Sequence, residues 1–319
     1  MEKTPSNRLD CEGLAKRTAV IILTLNAEQY LENLFRAIKS LDISPGKVLI
    51  VDSSSTDQTV VLAKLEGHQT HVIARSEFGH GKTRNLAVSL CQDYEIVLFL
   101  TQDACPQSNN WLNELLAPFS DTSVGLVYGR QLPRPGSGRS ERFAREFNYP
   151  NQADRTVSAD LAKRGIKAVF CSNSFSAYRR CILEEVGGFP ENLPMGEDMA
   201  IALRILRRGY ARYYQPRACA IHSHSYSITE EFKRYFDIGT LLSIDHELRS
   251  VQLSTSGEGL RFALLELRSV WSNKDPLQFV PVVLRTLAKF LGFFFGQRYS
   301  ALPTLLRRRF SMHSYFWSR

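Results

Sequence analysis

The first hundred residues predict an α/β fold built on a mostly parallel sheet with flanking helices. Three observations carry this: apolar runs of strand length at residues 18–25, 47–51 and 95–100, amphipathic helical spacing between them, and carboxylates (Asp52 and Asp103) just past two of the runs. Runs that are apolar throughout suit strands covered on both faces. Right-handed crossovers bring the C-terminal ends of parallel strands to one rim, where open α/β sheets bind ligands.

Strand and helix signals then alternate along the chain. Residues 18–25 (TAVIILTL) read as a strand, and residues 28–41 place Leu31, Leu34, Phe35 and Ile38 on one helical face. A short strand at 47–51 ends in Asp52, and the polar run 53–57 supplies caps for a helix over 59–65. Residues 71–74 make a third strand, 82–91 a third helix and 95–100 a fourth strand, which ends in Thr101-Gln102-Asp103. Asp103 reads either as a carboxylate facing a ligand or as the cap of a turn before the helix near Trp111.

The middle of the chain changes character. Residues 131–140, rich in Pro and Gly, form a loop, and 141–147 a short helix with Phe143 and Phe147 at i, i+4. This excursion reads as a lid over a bound ligand or as a solvated surface loop. Residues 167–170 return as a strand with Ser172, Asn173 and Ser174 at its end, and Gly187-Gly188-Phe189-Pro190 makes a turn. Gly196-Glu197-Asp198 opens a helix carrying Ile201, Leu203, Ile205 and Leu206, where either carboxylate stabilises the helix N-terminus or does chemistry. Residues 218–221 read as a strand leading to His222 and His224.

Composition narrows the partners. A chain of 319 residues with 44% hydrophobic residues can bury a large core, which excludes a disordered protein, and its net charge of +8 favours a nucleotide, a nucleic acid or an acidic membrane surface. Six scattered cysteines without a C-x-x-C pair are expected to be reduced, which points to the cytoplasm. Residues 1–16 form a polar arm with no apolar core of a secretory signal.

Residues 78–85 (FGHGKTRN) set two glycines, a histidine and two cations at a helix start, a source of free N–H groups and positive charge for a diphosphate. The segment is not a Walker A loop, because Ser76 stands where the first glycine belongs. Nor is it a dinucleotide fingerprint, because Arg84 takes the place of the third glycine.

Asp52-Ser-Ser-Ser-Thr-Asp57, residues 78–85, Thr101-Gln102-Asp103 and Gly196-Glu197-Asp198, in this order and spacing, resemble the family 2 glycosyltransferases of the GT-A fold. The wording of FGHGKTRN, TQDA, FNYP, SNSFSAYRR, GED and HSHSYS is similar to bacterial rhamnosyltransferases that build surface polysaccharides, over roughly residues 18–240. The resemblance implies a GT-A-type, Rossmann-like domain with an acid after the second strand that reads the nucleobase. It also implies a D-x-D-like segment holding a divalent metal, manganese or magnesium, on the donor diphosphate, and a later acid acting as base. Donor contacts are then expected from Thr24, Asn26, Asp52, Asp57, Gly79, His80, Gly81, Lys82, Arg84, Asn85, Gln102 and Asp103, with Asp198 as the base and Glu197 in reserve. Ser172, Asn173 and Ser174 offer hydrogen bonds to an acceptor sugar, or satisfy core backbone. Thr101 replaces the first acid of the D-x-D segment, so a metal on Asp103 needs help. The resemblance implies that His222 or His224 gives it, the lesser alternative being that one of them only hydrogen-bonds in the acceptor cleft.

Past residue 226, helices rich in aromatic and basic residues follow at 230–248 and 260–271, and Val280, Leu284, Leu287, Leu291 and Phe294 mark an apolar stripe. Residues 277–296 are long enough to span a bilayer, yet Gln278, Arg285 and Lys289 lie among them. Each cation costs roughly 2.5–3.5 kcal/mol at mid-membrane, so the stretch reads as interfacial or core. Residues 305–319 interleave Arg307, Arg308, Arg309 and Arg319 with Phe310, Tyr315, Phe316 and Trp317, a mixture suited to an anionic membrane surface. The expected organisation is an N-terminal arm (1–16), a GT-A domain (17–226) and a helical, membrane-associating region (227–319).

The resulting expectation is an inverting transferase that moves L-rhamnose from dTDP-L-rhamnose to a glycan on a polyprenyl-diphosphate carrier, at the inner face of the cell membrane. One alternative is the same fold using another nucleotide sugar or transferring a nucleotidyl group. Another is a non-catalytic module binding anions or nucleic acid, supported by charge alone and by no RNA- or DNA-binding motif.

Overall fold

The computed structural model describes residues 12–253, 257–272 and 276–318. Most of the N-terminal arm and Arg319 lie outside the described residues. The strands are β1 (Thr18–Thr24), β2 (Lys47–Asp52), β3 (Gln69–Val72), β4 (Ile96–Thr101), β5 (Cys105–Pro106), β6 (Val124–Leu132), β7 (Asp154–Thr156), β8 (Phe175–Arg179) and β9 (Ala211–Ile221). They form one sheet in the order β3-β2-β1-β4-β8-β6-β9-β5, with β7 also on β9. The first four strands are parallel, as their spacing predicts. β8 then runs antiparallel to both β4 and β6, and β9 returns parallel to β6.

The apolar runs are continuous because both faces are covered. Ala19 and Ile21 enter one core with Ile201, Leu203 and Ile205 of the helix Glu197–Arg207. Val20 and Ile22 enter the other, where the helix Glu28–Lys39 buries Leu31, Leu34, Phe35 and Ile38 beside Trp111. Each such side chain contributes about 1.5–3 kcal/mol of burial free energy.

Three elements differ from expectation. Residues 167–169 end a 3-10 turn, Gly165–Val169, and Phe170 follows it, so no strand forms there and residues 172–174 precede β8 instead of following a strand. The run is apolar because Ala168 and Val169 are core residues, and burial alone has no period to separate turn from strand. The third strand lies two residues earlier, at Gln69–Val72. The helix expected over 230–248 is two, Ile228–Ile244 and His246–Leu253; Asp245 leaves helical geometry and its Oδ1 accepts the Leu248 N–H at 2.9 Å.

Beyond Ser227, which with Glu230 forms a capping box, the helix Ile228–Ile244 packs along the helix Phe279–Gln297. The crossing is close: a Cβ on Gly292 would lie 2.2 Å from the Phe232 carbonyl oxygen. Arg285 donates to the Tyr226 carbonyl and Lys289 sits 3.6 Å from Glu231, so both cations turn toward the protein. The opposite face leaves Val280, Leu287 and Phe290 between half and two-thirds exposed. By length and composition this helix is apolar enough to cross a membrane.

The tail departs from the reading that gave its aromatics to a membrane. Phe310 packs on Phe232 and Phe236, Trp317 on Phe236 and Tyr299, and the Met312 N–H reaches Asp237 at 2.8 Å. Leu305, Arg308 and Arg309 remain exposed. An aromatic-rich basic segment satisfies either setting by composition, and here the apolar rings find a protein surface first.

Candidate active site

Two residues of β5 explain how distant segments meet. β5 pairs antiparallel with the end of β9, Cys105 opposite Ile221, which sets Asp103 just before β5 against His222 and His224 just after β9. His222 Nε2 is 3.5 Å from one Asp103 oxygen and His224 Nε2 3.5 Å from the other, and the two Nε2 atoms are 3.2 Å apart. Two imidazole lone pairs so close repel unless a proton or a cation lies between them. Burial opposes charge on Asp103, but His222, then the charge of His224, hold its carboxyl well below the usual range. Burial, reinforced by His222 and opposed by Asp103, lowers His224 to about 4. A carboxylate and a neutral imidazole are the protonation states metal binding requires, and the three ligand atoms lie within 4.8 Å of one another. The donor set therefore fits a divalent cation.

The acid pair opens the helix Glu197–Arg207 after Gly196, whose φ of 79° needs glycine. Glu197 is locked: Arg84 Nη1 lies 2.9 Å from its Oε1 and Asn173 Nδ2 donates to the same atom at 3.1 Å. Asp198 is only partly buried, accepting N–H bonds from Asn173 at 3.2 Å and Met199 at 2.8 Å. Burial favours protonation of both acids, but Arg84, His80 and the Asn173 amide outweigh it at Glu197 and lower its pKa. At Asp198 burial, then the neighbouring Glu197 charge, dominate over Arg84 and the backbone donors and push the pKa up to about 7. Environment thus separates two adjacent carboxyls, the arrangement that suits a general base.

The structure revises several expected donor and acceptor residues. Asn173 is buried, with Oδ1 accepting from Tyr178 and Ser176, so it organises the acids instead of meeting an acceptor; Ser172 and Ser174 beside it stay partly exposed. Arg84 points inward to Glu197 and the His80 carbonyl. Gly81 is a contact glycine, since a Cβ there would lie 1.9 Å from the Pro190 carbonyl oxygen. Asn85 ties the same turn through both backbone groups of Phe189, and the Gly79 N–H reaches Thr83. Of the cations in this segment Lys82 is exposed.

At the first rim Asp52 is fully buried, accepting from Thr24 and Ser55, while Asn26 holds the Thr56 N–H. Asp57 accepts the Glu28 and Thr59 N–H groups and so caps two helices. Gln102 uses both amide atoms on the Leu25 backbone, extending the β1–β4 pairing by one side-chain rung.

Other contacts near the site were not signalled by the sequence. The His313 ring meets His80 edge-on at 4.9 Å and Tyr315 meets Phe78 at 5.6 Å, so the tail walls the segment that carries Arg84. Burial and the charge of Arg84 keep His80 below its ordinary pKa against the pull of Glu197, and burial lowers His313 to about 3. Arg234 lies 5.4 Å from the Tyr226 ring, which itself packs at 5.3 Å on His224. Arg145 and Arg234 both act on His224, giving the histidine pair a cationic flank.

The family model for glycosyl transferase family 2 matches residues 19–187. Over 303 residues, 95% of this chain and 96% of the relative, the sequence is 39% identical to the O-antigen chain rhamnosyltransferase RfbN of Salmonella typhimurium. The O-antigen chain rhamnosyltransferase WbaN of Salmonella anatum is 39% identical over 89% of this chain and 90% of its own. Among solved structures, the mannosyltransferase PcManGT from Pyrobaculum calidifontis, in complex with GDP-Man and Mn2+, has a TM-score of 0.61 at 16% identity, covering 88% of this chain and 87% of its own. That likeness speaks for the GT-A-type fold. A non-catalytic binding module is set aside by the two full-length relatives and the family match: the chain is a glycosyltransferase, and it belongs to glycosyl transferase family 2.

Proposed function

We propose that the chain is an inverting rhamnosyltransferase using dTDP-L-rhamnose and extending a lipid-linked surface polysaccharide. The donor reading is supported by the near full-length likeness to relatives named for rhamnosyl transfer. The observation that carries the chemistry is the division of the acid pair, with Glu197 held by Arg84 and Asn173 and Asp198 left partly open.

Asp198 takes the proton of the acceptor hydroxyl as that oxygen bonds to the anomeric carbon. The bond from that carbon to the diphosphate oxygen breaks, the electron pair leaves with the nucleoside diphosphate, and the configuration inverts. Arg234 and exposed Lys82 provide positive charge for the departing group. Asp103, His222 and His224 would hold a divalent cation, whose charge neutralises the diphosphate. Two nitrogen donors favour manganese over magnesium, which prefers an all-oxygen shell. Asp52, Thr24, Asn26 and Asp57 shape the nucleoside end by fixing the loops after β1 and β2, and Ser172 and Ser174 face the acceptor side.

The exposed face of the helix Phe279–Gln297, with Arg308 and Arg309 nearby in sequence, supports a peripheral position at the anionic inner face of the cell membrane, where a polyprenyl-linked acceptor resides. A donor screen tests the reading: with manganese and a panel of nucleotide sugars, dTDP-L-rhamnose is consumed fastest. Consumption of a different sugar at a higher rate overturns the donor assignment and leaves the transferase class intact.

A further inference from the structure

We propose that Gln131 is a positioning residue which fixes the tautomer of His222, and that the helix Arg139–Asn148 is built to hold it and the histidine segment in place. The proposal rests on the reading of Asp103, His222 and His224 as a divalent-cation site. It gives the 131–148 excursion a function different from a lid.

Register brings the partners together. β6 and β9 are parallel with Leu132 opposite Ile221, and the His222 N–H extends the ladder to the Leu132 carbonyl at 3.0 Å. Gln131 is 2% exposed, and its Oε1 is 2.6 Å from Arg145 Nη1. A guanidinium only donates, so the amide atom facing it is the oxygen. That same oxygen is 2.9 Å from His222 Nδ1, so Nδ1 carries the proton and Nε2 keeps its lone pair. Nε2 is the atom 3.5 Å from Asp103. The opposite tautomer would set a nitrogen lone pair against the Gln131 oxygen and turn an N–H toward the cation position. Orienting a metal ligand through its second ring nitrogen is worth about 10–100-fold in metal affinity.

The helix grips at a second point. Glu141, one turn before Arg145 on the same face, accepts the hydroxyls of Ser223 and Ser225, which alternate with the two histidines. Gln131 also keeps its amide nitrogen buried without a hydrogen-bond partner. An apolar residue would avoid that desolvation cost but would leave the Arg145 and His222 N–H groups without this acceptor.

The test uses the full-length protein with 15N-labelled histidine and does not depend on turnover. In metal-free protein, long-range 15N–1H spectra are expected to show His222 protonated at Nδ1, lost or mixed in Gln131→Leu and retained in Gln131→Glu, which keeps the acceptor. Mn2+ affinity, measured by calorimetry with thymidine diphosphate present, is expected to fall about 10–100-fold in Gln131→Leu and to recover in Gln131→Glu. Should Gln131→Leu not fold, Gln131→Met, closer to glutamine in length and likewise without the amide oxygen, provides the same comparison. An unchanged tautomer, or an unchanged Mn2+ affinity, in the folded variant overturns the proposal. A wild-type protein that shows the stated tautomer but binds no Mn2+ overturns the metal reading beneath it.

Discussion

Arg84 and Glu197, 113 positions apart by number, form a 2.9 Å ion pair with side chains only 5% and 6% exposed. Breaking such a pair by removing one partner leaves a buried charge, at about 3–5 kcal/mol. Arg84→Met is therefore expected to lower the melting temperature sharply, while Lys82→Ala, at an exposed position, lowers nucleoside diphosphate affinity and leaves melting unchanged. Thermal unfolding and calorimetry on the two variants separate the roles. A stable Arg84→Met protein that has lost only nucleotide affinity would return Arg84 to the diphosphate.

The acid pair sets a pH dependence. In the proposed mechanism Asp198 works ionised, and burial together with the Glu197 charge raises its pKa to about 7. Turnover per bound donor should thus fall as pH drops through that value and level off above it. An acid limb near the ordinary aspartate value, about 3.9, would contradict the electrostatic division of the pair.

Arg234 lies over the Tyr226 ring, which packs on His224, and Arg234→Ala is expected to weaken nucleoside diphosphate binding about tenfold, on the scale of a charged hydrogen bond. Binding calorimetry at fixed Mn2+ reads this directly. Unchanged affinity removes Arg234 from the donor site.

Chelation addresses the cation site. Excess EDTA is expected to abolish transfer, and Mn2+ to restore it in wild type but not in Asp103→Asn. Full activity in chelator would show that the His222, His224 and Asp103 cluster serves another purpose.

Membrane contact and tail packing are separable. Replacing Val280 and Phe290, 62% and 64% exposed, by serine should release the protein from anionic vesicles, because each contributes up to about 1.5–3 kcal/mol on burial. His313→Ala should leave vesicle binding intact and weaken donor binding through the His80 wall. Vesicle pelleting of both variants, with nucleotide calorimetry, checks the pair; equal pelleting of all three proteins would discard the membrane face.

What was legible depended on locality. β1, β2 and β4 announce themselves because strands buried on both faces are apolar throughout. The carboxylate rim, the acids at a helix start and the two histidines were readable from order and spacing. The pairing of β5 with β9 was not, because a two-residue strand has no period and its partner lies more than a hundred positions away. The same distance hid the contacts that Gly81 and Asn85 make. Gly81 and Asn85 look like phosphate binders in sequence and prove to be the seat of the turn at Phe189 and Pro190. Asn173 misled likewise, since nothing local shows that its amide faces Glu197.

The most direct measurement is turnover of Asp198→Asn with donor affinity determined in parallel. The account predicts a loss of about two to four orders of magnitude in turnover with donor affinity close to wild type and a modest fall in melting temperature, since the amide preserves the shape but keeps an acceptor for only one of the Asn173 and Met199 N–H groups. Near-normal turnover in this variant would contradict the assignment of Asp198 as the base.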